Sequence, residues 1–309
     1  MKRYLLYLSR RLLQVLLVLL GVSLITFLLA FLIPADPARM IAGRSATAAT
    51  VQSIREQLGL DQPVFIQYFR YLGRLVQGDL GRSYIQRTQV SELIFSRLPA
   101  TLLLMAGAIA FELLIGLTAG IYAAVRRNTG GDRLVMVLSF IGVSAPQFAI
   151  GLILLYFFSY RLGWFPLGGY GSWRHLVLPA LTLGLTGGGW YSRMMRSSLV
   201  NVLQQGYIRT AKAKGANERT VVFKHALRNA LPPVIAMIGL DIGIFMSGAV
   251  VVESVFGWPG LGQLLWQAIQ VVDIPIITGV VLTSAVAIVL GNLLADLVMP
   301  WVNPRVKLE

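Results

Sequence analysis

Three carboxyl groups, Glu112, Asp241 and Asp296, stand inside long apolar runs of this 309-residue chain. A charged side chain at the centre of a hydrocarbon layer costs roughly 2.5–3.5 kcal/mol on insertion scales, so such groups face a partner or a wet cavity. Their chemistry is electrostatic: drawing in a cation, relaying a proton, or bonding to a neighbouring helix. Glu112 is about midway along its run and is a candidate to attract a cationic group; the alternative is a buried carboxyl bonded to another helix. Asp241 is followed by Gly243, Ser247 and Gly248. These small groups fit a close helix contact or a wetted pathway face, and Asp241 and Ser247 join Glu112 as the candidate substrate pathway. Asp296 nears the end of its run and reads as interfacial.

Other chemistries are excluded by what is missing. There is no Cys, hence no disulfide, thiolate metal site or Cys nucleophile, and His175 and His225 are too few for a His-rich metal centre. No metal or cofactor is expected. A G-x-x-x-x-G-K-[ST] phosphate loop is absent, so the chain is not expected to hydrolyse ATP itself. Gly187-Gly-Gly189 and Gly260-Leu-Gly262 lack the strand–turn–helix setting of a nucleotide loop and read as close packing points. Neither HExxH nor GxSxG occurs. The chain is not expected to be an enzyme. A proton-coupled secondary transporter using Glu112, Asp241 and Asp296 as relay groups is the competing reading from another class.

The elements that carry these groups are membrane spans. The chain is 56% hydrophobic and 13% charged, with a mean hydropathy of +0.70, against about 25% charged residues in soluble domains. Six segments reach the roughly 20 residues that a 30 Å hydrocarbon core requires. They run over 12–33, 100–125, 134–160, 176–194, 231–252 and 276–301, an all-α polytopic architecture. Pro146 predicts a kink in the third. The first has 22 apolar residues, longer than the h-region of a signal peptide, and reads as an uncleaved anchor.

Lys and Arg set the orientation. With the N-terminus inside, 17 basic residues fall on cytoplasmic segments and 10 on outer ones, eight of the latter in one loop of about 65 residues. Both termini are therefore expected in the cytoplasm, and the net charge of +14 reads as loops held at an anionic inner leaflet; no nucleic-acid partner is expected. The expected organisation is a tail and first span at 1–33, an outer helical cap at 34–98, a five-helix core at 99–301 with a cytoplasmic loop at 195–230, and a tail at 302–309. Within the cap, 50–58 and 66–76 have helical periodicity, with stops at Gly59 and Gly78. Glu253 and Trp258 lie at the expected outer mouth, as gate candidates or as fixers of a re-entrant turn. Trp164, Phe165, Trp173 and Trp258 suit an aromatic belt.

The most informative stretch runs from Gly206 to Pro233. Tyr207–Lys214 has good helix formers, Gly215 offers a left-handed stop, and Asn217 can cap a second helix with Glu218 in its first turn. Two short helices meeting at Gly215 would present a basic, small-sided elbow suited to close docking of another protein. An ordinary positive-inside loop is the plainer alternative.

This loop resembles the EAA motif of the permease subunits of ATP-binding cassette (ABC) importers, in the variant common to peptide and nickel permeases. Arg209, Thr210, Ala211, Ala213, Lys214 and Gly215 match its first part; His225, Ala226, Leu227, Arg228, Asn229 and Ala230 match its second. Arg209 stands where the general motif has Glu. Further likeness lies in Arg55-x-x-Leu-Gly-Leu-Asp-x-Pro63, Gly78-Asp-Leu-Gly-x-Ser83, Arg97-Leu-Pro-Ala-Thr101, Leu162-Gly-Trp-Phe-Pro166 and the run from Gly248 to Gly262. The resemblance implies the type I importer permease fold and a second homologous permease as partner. It also implies two cytoplasmic ABC ATPases, an extracytoplasmic solute-binding protein and a place in the bacterial inner membrane. It makes the loop a coupling helix, with Arg209, Thr210, Ala211, Lys212, Ala213, Lys214, Gly215, Ala216, His225 and Arg228 as its residues. The implied cargo is a di- or oligopeptide; nickel chelates, glutathione and oligosaccharides are the alternatives within the family.

Overall fold

The computed structural model describes residues 2–32, 36–43 and 45–302, with the helical backbone alone at 2–12, 30 and 295–302. The side chain of Asp296 and residues 303–309 of the expected tail at 302–309 therefore lie outside the described residues. No strand occurs among the described residues; an isolated antiparallel bridge joins Arg82 to Gln89. The chain divides into two compact units, Met1–Pro99 with Gly260–Val286, and Ala100–Pro259 with Ala287–Glu309.

The first unit holds α1 (Lys2–Leu32), α2 (Pro37–Ala42), α3 (Ala48–Leu58), α4 (Val64–Val76), α14 (Leu261–Gln270) and the first part of α15 (Ile274–Val302). Its short outer helices start and stop where local chemistry dictates. Pro37 opens α2, and Asp36 Oδ1 accepts the Ala38 N–H at 3.1 Å, a cap that satisfies one orphan donor. Gly59, at φ 66°, ends α3 in the left-handed conformation expected of it. Between Arg82 and Gln89 the chain folds over the buried carboxylate of Asp273. That carboxylate accepts Ser83 Oγ at 2.5 Å and the N–H groups of Tyr84 and Ile85 at 3.3 and 3.2 Å.

The second unit takes in most of α5 (Val90–Val125), then α6 (Gly130–Ser144), α7 (Gln147–Leu154), α8 (Trp173–Leu203), α9 (Gly206–Ala213), α10 (Glu218–Thr220), α11 (Leu227–Ala230), α12 (Pro232–Met246) and α13 (Val250–Val255). Two expected spans are broken. The third was expected as one kinked helix; instead α6 and the helix over Gln147–Arg161 meet at 102°. Pro146 disfavours the helical conformation in the residue before it, and Ala145 is extended at ψ 135°. The fifth stops at Met246 rather than running to Val252, because Gly248, at φ 98°, turns the chain before α13. By length and composition α5 and the Ile274–Leu294 part of α15 can cross a bilayer, and two bent pairs do so if each counts as one span. The remaining expected segments lie on α1, which is apolar over Leu13–Leu29, and on α8, where 13 of 31 residues are buried.

Close helix approach explains the second unit's packing. A Cβ added at Gly120 of α5 would stand 2.6 Å from the Ser192 carbonyl and 2.7 Å from Met195 Cβ on α8, so only glycine allows this contact. Two apolar cores result. One gathers Leu104, Leu178, Leu183, Phe245, Phe256 and Trp258; the other gathers Tyr191, Met195, Leu199, Ile208, Val221 and Ala226.

Candidate coupling elbow and intramembrane polar cluster

The elbow takes the shape its sequence dictates. α9 ends at Ala213, and Lys214 leads into Gly215 at φ 82°, a backbone that L side chains rarely adopt. Asn217 Oδ1 accepts the Thr220 N–H at 2.8 Å, capping α10 with Glu218 in its first turn. From Val221 to Ala226 the helix widens into π-type turns before α11. The elbow is pinned from beneath: Ile208, Val221 and Ala226 are fully buried. Asn229 Nδ2 donates to Tyr207 Oη at 2.8 Å, tying its two arms together. Arg209, Thr210, Lys212, Ala213, Lys214 and Gly215 face outward, while Ala211 and Ala216 are half-buried. His225 is half-buried and Arg228 exposed on the second arm. The result is a small-sided cationic tip on a fixed base. Phe223, 56% exposed beside it, adds an apolar surface.

The carboxyls form a second cluster. Glu112 of α5 is 3% exposed and lies against Gly187 of α8, where any side chain would collide with it. The Glu112 carboxyl lies beside that of Asp241, which brings α5 next to α12. Tyr191 of α8 donates its hydroxyl to Asp241 Oδ2. Three helices thus meet through two carboxyls and a phenol, and Glu112 Oε2 stays buried with no hydrogen-bond partner among the described residues. Asp241 is half-buried, and Ser247, one turn beyond Gly243, is exposed. Tyr191 was missed because its 50-residue offset from Asp241 leaves no trace in spacing.

The expected outer-mouth residues do not share one surface. Trp258 is fully buried, against its expected place in an aromatic belt. Its Nε1–H donates to the Ala100 carbonyl at 2.9 Å and its ring meets Tyr170 edge-on at 5.0 Å. A buried indole needs such a partner. Glu253 is also fully buried, and its carbonyl accepts the Trp258 N–H at 2.8 Å across the turn at Gly257. Trp164 and Trp173 are exposed at 58% and 68%, and Phe165 is half-buried.

Comparison with known proteins decides the class. Residues 116–308 match the model of the binding-protein-dependent transport system inner membrane component, and residues 1–105 match that of the N-terminal part of such membrane components. The chain belongs to the permease family of binding-protein-dependent ABC importers. The glutathione transport system permease protein GsiC of Salmonella paratyphi A is 45% identical over 97% of this chain and 98% of its own. That of Escherichia coli K12 is 43% identical over the same shares. In fold, the permease resembles a chain of the MetNI methionine ABC transporter in inward-facing conformations. Its TM-score is 0.58 at 21% identity, covering 68% of this chain and 96% of that one. Membership removes the proton-coupled secondary transporter as a reading.

Proposed function

We propose that this permease carries small peptides of the glutathione type inward by alternating access, driven by ATPases docked at the elbow around Arg209–Gly215. The elbow carries the reading. A basic, small-sided tip held on buried Ile208, Val221 and Ala226 transmits force without yielding, as rigid-body coupling demands. A nucleotide-driven ATPase pair moves the helices only if its contacts here differ between the two end states. The partners are a second homologous permease, two cytoplasmic ATPase subunits and an extracytoplasmic solute-binding protein. The setting is the bacterial inner membrane with both termini cytoplasmic, on the distribution of Lys and Arg.

The named relatives favour glutathione, a tripeptide, over di- and oligopeptides in general. Nickel chelates and oligosaccharides have less support. The pathway passes the exposed Ser247 and the half-buried Asp241, with Glu112 behind Asp241. Glu253 and Trp258 act at the outer mouth by fixing the turn between α13 and α14.

The test is Gly215→Val in the assembled transporter. No atom lies within 4 Å of an added Cβ, so the substitution strains the backbone without a clash, by about 1–2 kcal/mol. The variant is expected to assemble and hydrolyse ATP while glutathione uptake falls at least ~10-fold; Gly215→Asn, which tolerates this conformation, should retain most uptake. Normal coupling in the valine variant would refute the docking assignment.

A further inference from the structure

On α8, Arg193 stands one residue before the end of the expected fourth span. Its guanidinium lies 4.3 Å from the Trp190 ring centroid and 5.5 Å from that of Phe140 on α6. Its Nε is buried with no hydrogen-bond partner among the described residues. The ion pairs among the described residues are Arg55–Asp36 and Arg196–Asp132, and neither involves Arg193. The acid of α6, Asp132, already gives both oxygens to Arg196. An arginine at the margin of a hydrocarbon layer without an anion is incomplete.

The surface beside it is apolar. Met136, Val137, Phe140, Ile141 and Ser144 line an open groove of about 500 Å³ along α6, and Phe140 belongs to both the groove and the arginine's aromatic setting. Leu134, Val137, Leu138, Phe140 and Ile141 are each more than half exposed, the character of a helix face turned to lipid. An apolar groove that shares Phe140 with a cation lacking an ion pair among the described residues is the complement of an amphiphile with a negative head.

We infer that this is a binding site for an anionic phospholipid, with the phosphate on Arg193 and an acyl chain along the α6 groove. Trp190 and Phe140 flank the guanidinium and hold it at the depth of the headgroup. The fork of N–H donors suits phosphate oxygens better than an ammonium would. The assignment to the inner leaflet rests on the proposed orientation; the site itself does not depend on the cargo.

The test uses the assembled transporter in two arms. In native mass spectrometry, the wild type is expected to retain phosphatidylglycerol in preference to phosphatidylcholine. Arg193→Gln should lower phosphatidylglycerol retention at least ~5-fold without changing phosphatidylcholine, and Arg193→Lys should restore part of it. In proteoliposomes, stimulation of ATP-driven uptake by phosphatidylglycerol should be present in the wild type and lost in Arg193→Gln. Equal retention in wild type and variant overturns the proposal, as does equal loss of both lipids. Dissociation of the permease pair would assign Arg193 to a subunit contact. An uptake defect that is the same in both vesicle types would assign it to the solute. Failure of the importer reading would abolish uptake everywhere and leave the retention arm intact.

Discussion

Arg196 grips Asp132 at two points, with Nε 2.5 Å from Oδ1 and Nη2 2.6 Å from Oδ2. The pair fastens the C-terminal part of α8 to the first turn of α6, where Asp132 is 3% exposed. The Asn128 N–H adds a bond to Oδ2 at 2.9 Å, closing the α5–α6 corner. Hydrogen bonding from Arg196 holds the Asp132 carboxyl below the usual carboxylate range despite burial.

Removing one partner of a buried pair leaves the other uncompensated, so Arg196→Met should cost about 3 kcal/mol. Arg196→Lys should restore only part, since an ammonium cannot reproduce the two-point geometry. The pH dependence has a defined sign. A depressed folded value gives stability that is present above the unfolded value, near 3.9, and lost as pH falls through the folded one. Thermal unfolding of the purified transporter at pH 7 and in the acid range checks this. The gap between wild type and Arg196→Met should be full at neutrality and shrink below about pH 4; a gap that is constant with pH would exclude the ion pair as its source.

Asp273 makes a second test. It accepts from Ser83, Tyr84 and Ile85, and Asp273→Ala strands all three donors at about 1–3 kcal/mol for each that stays buried. Amide exchange at Tyr84 and Ile85 should accelerate, with little change in the elbow around Gly215. Burial first and the Asp273 charge second push the Tyr84 phenol up to about 12. Asp273→Asn removes the second cause alone. Tyr84 should then ionise below the wild-type value yet above 10, read as the absorbance difference against Tyr84→Phe in each background.

Local chemistry was legible in the sequence; distant pairing was not. Gly59, Gly215 and Asn217 act within a few residues of themselves, and each does what its type and position dictate. The family likeness of the elbow and of the Gly248–Gly262 run likewise needed only contiguous residues. Asp132 with Arg196, and Tyr191 with Asp241, are joined by helix packing across 64 and 50 positions, and no periodicity encodes such a meeting. Trp258 was placed at a membrane surface because indoles favour interfaces, but its N–H finds the Ala100 carbonyl inside the core. The fifth span was drawn too long because hydropathy continues through Gly248 while the backbone does not.

The cluster at Glu112 separates a pathway role from a packing role. Glu112→Gln keeps the shape that Gly187 accommodates and offers Asp241 an N–H donor, so the helix junction should survive. Only the ability to carry negative charge is lost. If Glu112 attracts the ammonium of the cargo, uptake should fall several-fold while assembly, thermal stability and ATP hydrolysis stay near wild type. Tyr191→Phe is the opposite lesion. It deletes the hydroxyl that donates to Asp241, costing about 1–3 kcal/mol, and should lower stability more than it lowers uptake per folded transporter. Uptake assays normalised to assembled complex, with unfolding curves for both variants, distinguish the two. Unchanged uptake in Glu112→Gln would leave the carboxyl pair as a clamp between α5 and α12 and shift the pathway to the exposed side of Ser247.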